Sequence, residues 1–395
     1  METDHVKKGS ILGGILLIAG CCIGAGMLGL PVLSANAGFK PSIFSFIICW
    51  LFMLSTGLLV LEVNLAVGKG SNIVSMAERT LGQVGKWTSW LVFLFLFYSL
   101  MVAYLTAGGT LLVDFIQQIF GVALHSNIGS IIFCLLFGAT IYLGTLAVDW
   151  LNRALMLGLV LSYSLLIFMG SPYIKDSLLQ RTNWTQIIQV IPAAILSFGF
   201  HNLVPSMTTY LKGNVKALKW TFVIGSAIPL FIYLAWEWLI LGIVPLQEFT
   251  QALDQGEIAT QALKNVVGAS WITDVAQIFA FFAIVTSLLG VALSFVDFLA
   301  DGLKIEKTGL GKAKLINLVL VPPLIFAFFY PTIFLTALNY AGGIGAVILF
   351  GILPALMVWK GRYYQHYFVK PIVPGGKPVL VLIILFAGWV MSTLV

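Results

Sequence analysis

The sequence predicts an all-α membrane protein of about eleven transmembrane helices. Three observations lead there. Of 395 residues, 60% are hydrophobic and 9% charged, with a mean hydropathy of +1.03; a soluble domain of that balance would expose apolar surface to water. Apolar runs of roughly twenty residues, the length a helix needs to cross about 30 Å of hydrocarbon, recur along the chain. The Lys and Arg residues gather in alternate loops, as the loops of a multi-pass protein do.

The first run, 11–37, contains no ionisable side chain, and no small-residue cleavage site ends a short apolar stretch there, so it stays as a span and is not removed as a signal peptide. Lys40 separates it from the second run, 42–67, and the loop 68–87 separates that from 88–120. The runs 128–148 and 150–171 meet at Asp149, which stands four residues before Arg153 and reads as a helix-spaced ion pair. Lys175 and Arg181 precede 185–211, and Lys212 and Lys216 precede 217–245. An acidic loop, 246–268, then leads to 269–299, 314–330, 332–359 and, after the loop 360–377, to 378–395.

One set of loops holds Lys7, Lys8, Lys69, Arg79, Lys86, Arg153, Lys212, Lys216, Lys219, Lys304, Lys307, Lys312, Lys314, Lys360, Arg362, Lys370 and Lys377; the other holds Lys40, Lys175, Arg181 and Lys264. The basic set is expected in the cytoplasm, which puts the N terminus inside and, after an odd number of spans, the C terminus outside. The formal charge of +6 is mostly this asymmetry and gives no reason to expect nucleic acid as a partner. Cys21, Cys22, Cys49 and Cys134 fall in apolar segments without metal-ligand spacing and read as small packing residues. No metal site or organic cofactor, and no obligate protein partner, is expected; the bilayer is.

Two spans are interrupted at mid-length. In the first, Gly24, Gly26 and Gly29 spell G-x-G-x-x-G ahead of Pro31, yet a nucleotide fingerprint requires a soluble βαβ unit and this pattern lies inside a membrane span. In the sixth, Ser197-Phe-Gly-Phe-His-Asn-Leu-Val-Pro205 combines glycine, polar groups and proline, which make an unbroken helix costly. Five spans apart, the two breaks run in opposite directions, the relation expected of inverted five-helix repeats, here about 10–171 and 185–359 with 378–395 as an extra helix. Irregular backbone at that depth is tolerated where it is buried in protein or lines a cavity. A half-helix starting near Gly24–Gly26 offers free N–H groups to a carboxylate, and the half-helix ending before it offers carbonyls to an ammonium or a cation. The same glycines also fit a small-residue packing face between helices.

The motif around Gly24, the Phe-Gly-Phe-His201 stretch, Thr286-Ser-Leu-Leu-Gly-Val-Ala-Leu-Ser-Phe-Val-Asp297, Val148-Asp-Trp-Leu-Asn-Arg153 and Tyr340-Ala-Gly-Gly343 together resemble the hydroxy/aromatic amino acid permease family, in order and over nearly the whole chain. The resemblance implies a leucine-transporter-like fold and secondary active import of an aromatic amino acid, tyrosine foremost, across a bacterial inner membrane, with a small-molecule substrate as partner. Carried onto this chain, it implies a substrate carboxylate on the amides of Gly24, Ala25 and Gly26 and an amine against carbonyls near Ile23, Ser197 and Phe198. The ring would pack among Phe198, Phe200 beyond Gly199, Tyr104 and the eighth-span face at Ser287 and Gly290.

For the coupling ion, the resemblance points to a proton. Ala283, Thr286 and Ser287 have the spacing that holds sodium in other members of the wider fold; Thr286 and Ser287 equally fit hydroxyls bonded to their own helix. Glu62 and His201 are the acid and the histidine nearest mid-span and are proton-route candidates. Glu62 also fits a structural carboxyl, and His201 a neutral ring filling a hydrogen-bond gap. Glu237, Asp114 and Asp297 lie nearer span ends and are expected to reach the interface or pair locally. A substrate sensor and an intramembrane enzyme are the readings of other classes; the latter has no H-E-x-x-H or G-x-S-x-G motif and only scattered acids to support it.

Overall fold

The computed structural model describes residues 9–68, 71–267, 271–365 and 370–394. Lys7, Lys8 and Lys69 of the basic set, and the ends of the predicted spans at 269–270 and 395, lie outside the described residues. Among these, all regular structure is helical. Ser10 caps α1 (Ile11–Cys22) by accepting the Gly13 N–H. The backbone then becomes extended at Ile23, and α2 (Gly26–Ser34) leaves at a bend of 55°. The second span is α3 (Phe39–Val67); a short surface helix, α4 (Ile73–Leu81), occupies the predicted loop 68–87. The third is α5 (Gln83–Phe120), whose 38 residues extend about 57 Å, more than the hydrocarbon thickness. Next come α6 (Ser126–Leu143), α7 (Thr145–Gly170) and the single turn α8 (Asp176–Leu179).

The sixth span enters through a 3-10 segment (Trp184–Val190) into α9 (Ile191–Ser197), breaks at Phe198-Gly199-Phe200, and resumes through His201–Leu203 into α10 (Val204–Tyr210). It is followed by α11 (Val215–Ile243). Two short helices, α12 (Leu246–Gln255) and α13 (Ala259–Val267), fill the acidic loop. The remaining elements are α14 (Trp271–Leu303), α15 (Gly309–Phe329), α16 (Phe334–Tyr340), a π-helical stretch (Ala341–Ile352), α17 (Leu353–Tyr363) and α18 (Gly376–Ser392). Nine described helices are long and apolar enough to cross a membrane, the bent α1–α2 pair makes a tenth, and α18, at 17 residues, is a shorter apolar helix.

The basic and non-basic loops fall at opposite ends of the bundle. At one end Lys219 Nζ reaches the Ile372 carbonyl, Gly9 N–H bonds the Tyr210 carbonyl, and Arg362 grips Glu62. At the other, Arg181 and Asn183 bond the carbonyls of Ala35 and Ala37. The helices divide by neighbour as well. One group joins α1, α3 and α11, with Trp50 Nε1 donating to Ser226 Oγ; another joins α5, α6, α7, α14 and α15. The π-helical stretch lies backbone to backbone on α9, because Gly342 has no side chain and a Cβ there would overlap the Pro192 carbonyl.

Candidate functional site

Every helix end leaves carbonyls or amides without intrahelical partners, and two interrupted spans put four such ends in the interior. Tyr233 of α11 answers two of them. Its hydroxyl lies 2.6 Å from the Cys22 carbonyl, at the end of α1, and 2.8 Å from the Ser197 carbonyl, at the end of α9. The ring is fully buried and packs on Phe198 at 5.1 Å between centroids. One turn on, Trp236 repairs a second defect. Pro31 has no N–H to give to the carbonyl four residues back, that of Met27, and the Trp236 indole donates to it at 3.1 Å. Glu237 completes this face of α11 by accepting a 2.8 Å hydrogen bond from the Ser34 hydroxyl at the end of α2. Both halves of the first span are thereby tied to α11.

On the amide side of the break, Ser287 of α14 accepts the Ala25 N–H at 2.9 Å. The amides of Gly24 and Gly26 have no partner among the described residues, so they and the start of α2 can receive an anion. Neither glycine tolerates a side chain: a Cβ on Gly24 would overlap Ser287 Oγ, and one on Gly26 would come within 2.7 Å of Ser197 Oγ. Tyr104 of α5 is buried and its phenol interacts with Ser287. Ile23, Gly24, Ala25, Gly26, Tyr104, Ser197, Phe198 and Ser287 are thus brought together. Phe200 is turned elsewhere, into a slot where Gly57 of α3 faces its ring and Phe222 of α11 lies 5.4 Å away.

Cys21 is exposed while the other three cysteines are buried, and its Sγ lies 3.6 Å from the Gly199 carbonyl in the sixth-span break; the exposed thiol therefore faces an internal space between the broken spans. Gly290 also borders open space. The two halves of the first span differ in support. Its first half, α1, leans chiefly on α11, whereas α2 is enclosed by α9, α11, α12, α13 and α16. A separate cavity of about 200 Å³ lies beyond α2, next to Leu33, Gln189, Pro192 and Asn339.

The ion-coupling candidates lie in three separate places. Thr286 donates to the Phe282 and Ala283 carbonyls of its own helix at 2.8 and 3.2 Å, and Ser287 is engaged by Ala25. Glu62 sits at the basic end, bound by Arg362 through Nε at 2.5 Å and Nη2 at 2.6 Å and by the Ile372 N–H at 2.8 Å, a two-point geometry specific to guanidinium and carboxylate. His201 is fully buried, stacked on Phe350 at 4.7 Å, with Nε2 2.9 Å from Thr56 Oγ1. The Thr56 hydroxyl has its own helix carbonyls Phe52 and Met53 to donate to, at 3.0 and 3.2 Å. The hydrogen-bond network therefore makes the ring the donor and leaves Nδ1 without a partner.

Asp297 pairs with Lys307 at 2.8 Å, Asp149 with Arg153 at 2.9 Å, and Asp114 with Lys264 at 3.4 Å, as local pairing requires. Glu237 departs from that expectation: it is fully buried and pairs with no cation. Helix rotation decides this, turning Glu237 onto α2 instead of toward the interface. Sequence reasoning missed the roles of Tyr233 and Trp236 on the first span's carbonyls, of Glu237 against α2 and of Arg362 on Glu62. For the first three a signal existed: in Tyr233-Leu-Ala-Trp-Glu237 the polar tips recur at i, i+3 and i+4, on one face of a mid-membrane helix.

A model of the tryptophan/tyrosine permease family matches residues 7–394. Among curated relatives, the "Tyrosine-specific transport system 1" of Haemophilus influenzae is 33% identical over 387 residues, covering 96% of this chain and 95% of the relative. The "Tryptophan-specific transport protein" of the same organism is 32% identical, covering 96% and 94%, and the "Low affinity tryptophan permease" of Escherichia coli is 30% identical, covering 98% and 95%. Match and geometry run the full length of the chain, through both broken spans, and the chain belongs to the tryptophan/tyrosine permease family of membrane transport proteins.

Proposed function

We propose that the protein is a proton-driven symporter that imports an aromatic amino acid, tyrosine foremost, across the bacterial inner membrane. The basic end is cytoplasmic, which places the N terminus inside and the C terminus in the periplasm. The observation that carries the reading is the convergence of both breaks on one site, in a chain of this family. The substrate carboxylate meets the amides of Gly24 and Gly26, and its ammonium meets the carbonyls at the ends of α1 and α9. Tyr104 and Phe198 flank the ring, where aromatic contacts add about 0.5–1.5 kcal/mol beyond area. Inverted repeats of five helices rock around this site, and the packing of α2 on five helices beside an exposed Cys21 on α1 supports an inward-facing arrangement. Against sodium, Ser287 already spends an acceptor position on the Ala25 N–H, although Thr286, which donates to its own helix, keeps its oxygen lone pairs.

The test is uptake of labelled tyrosine into proteoliposomes under an inward proton gradient without sodium, with tryptophan and phenylalanine as competitors. Accumulation that a protonophore collapses is expected. Accumulation that appears only with a sodium gradient would move coupling to Ala283, Thr286 and Ser287, and silence under both would overturn the carrier reading.

A further inference from the structure

Of the carboxyls on the described spans, those of Glu62, Asp114, Asp149 and Asp297 have a basic partner, that of Asp274 accepts from Gln118, and that of Asp301 is exposed. Glu237 is different. It is fully buried, Oε2 accepts from Ser34 at 2.8 Å, and Oε1 has no partner.

No basic side chain among the described residues bonds it. The helix α2 carries no titratable side chain, and α1 brings Cys21 and Cys22 at the level of Tyr233. From α3 come Lys40, exposed at the outer tip, and Glu62, held by Arg362 at the opposite end. The helix α7 contributes Tyr163, whose hydroxyl donates to the Ile232 carbonyl, and the distant Asp149–Arg153 pair. Tyr173, Lys175 and Asp176 are exposed, although the Lys175 N–H bonds the Gly242 carbonyl of α11; Lys264 on α13 bonds Asp114, and Arg181 bonds the Ala35 carbonyl. An ionised carboxylate held by one hydroxyl in such a place costs several kcal/mol. The side chain is therefore the neutral acid while α2 covers it, and Oε1 is the oxygen free to carry the proton.

The cover is the outer half of the broken first span, the half that must move for the site to open outward. When α2 lifts, Ser34 leaves Oε2 and water reaches the carboxyl; the cavity of about 200 Å³ already extends to Leu33, the neighbour of Ser34. Sealing α2 again over an ionised Glu237 would bury an unpaired charge. Building on the proton-symport reading, we infer that Glu237 is where the driving proton loads from the periplasm, and that its neutralisation is the condition for α2 to close. The step moves one proton from hydronium to a carboxylate oxygen, leaving a neutral acid and a water, and breaks no other bond.

The test compares wild type, E237Q and E237D in proteoliposomes, each scored for uphill tyrosine accumulation, for tyrosine exchange without a gradient, and for dependence on outer pH. Glutamine fixes the neutral form: E237Q is expected to keep exchanging tyrosine, to lose concentrative accumulation at least tenfold, and to ignore outer pH. E237D keeps a titratable group and is expected to accumulate tyrosine with a displaced outer-pH profile, which keeps the proposal testable if the glutamine variant does not fold. Wild-type accumulation and pH profile in E237Q, or an unchanged profile in E237D, overturns the assignment while leaving proton symport standing. A wild type that ignores the proton gradient and follows sodium overturns the reading and this inference together.

Discussion

A phenol has one proton to donate, and the Tyr233 hydroxyl faces two carbonyls, of Cys22 at 2.6 Å and Ser197 at 2.8 Å. One acceptor is always short of a donor, which suits a site where a substrate ammonium arrives with three. Tyr233→Phe keeps the ring on Phe198 and strips the donor from both helix ends, at a cost of roughly 1–3 kcal/mol for buried groups left unsatisfied. The expected result is a lower thermal unfolding midpoint in detergent without substrate; an unaltered midpoint would make the hydroxyl dispensable. A second test concerns Gly24 and Ser287, where an added methyl has no room. Gly24→Ala is expected to cut uptake at least tenfold, and Ser287→Ala, which removes the Ala25 partner worth about 1 kcal/mol, roughly fivefold. Combined, Ser287→Ala frees the space and recovers part of the Gly24→Ala loss, so the two effects are sub-additive. Strict additivity would show that the residues do not touch.

At the scale of elements, the ion pair between Glu62 and Arg362 fastens the basic end of α3 to the basic end of α17, with side chains 6% and 11% exposed. Removing one partner strands a buried charge, so Arg362→Ala or Glu62→Ala should cost about 3–5 kcal/mol, whereas replacing both by leucine should be near neutral. Thermal unfolding in detergent, read for the two single variants and the double, checks this; a double variant destabilised by the sum of the two singles would mean that the charges are not coupled. Helices and breaks were legible in the sequence, because an apolar run reports its own length and Gly24, Gly26 and Phe-Gly-Phe-His201 interrupt runs that nothing else interrupts. What stayed illegible was rotation. A helix apolar on all sides carries no periodic signal for which face meets protein, so Glu237, placed by sequence near a span end, gave no sign that it turns onto α2. Arg362 reads as a loop residue because its partner lies 300 positions away, and no local pattern encodes such a contact.

For the whole molecule, alternating access requires the two halves of the first span to be covered in turn. The structure supplies an asymmetry that can be measured: α2 is enclosed by five helices while α1 leaves Cys21 exposed beside the sixth-span break. The other three cysteines are buried, so a membrane-impermeant maleimide has one target in the folded protein, and a Cys21→Ser variant supplies the blank. With the basic end cytoplasmic, the reagent should label inside-out vesicles and spare right-side-out ones. Tyrosine should slow the reaction, since a ligand on Gly24 and the Ser197 carbonyl occupies the space that Cys21 faces, at concentrations matching the KM for uptake. A sensor that binds without moving its ligand would share that protection but would show no change of side. In a carrier, an inwardly directed proton gradient with tyrosine present redistributes the population between states and changes the labelling rate from the cytoplasmic face. Labelling from the periplasmic face alone would reverse the assigned orientation, and a rate indifferent to both substrate and gradient would separate Cys21 from the transport path.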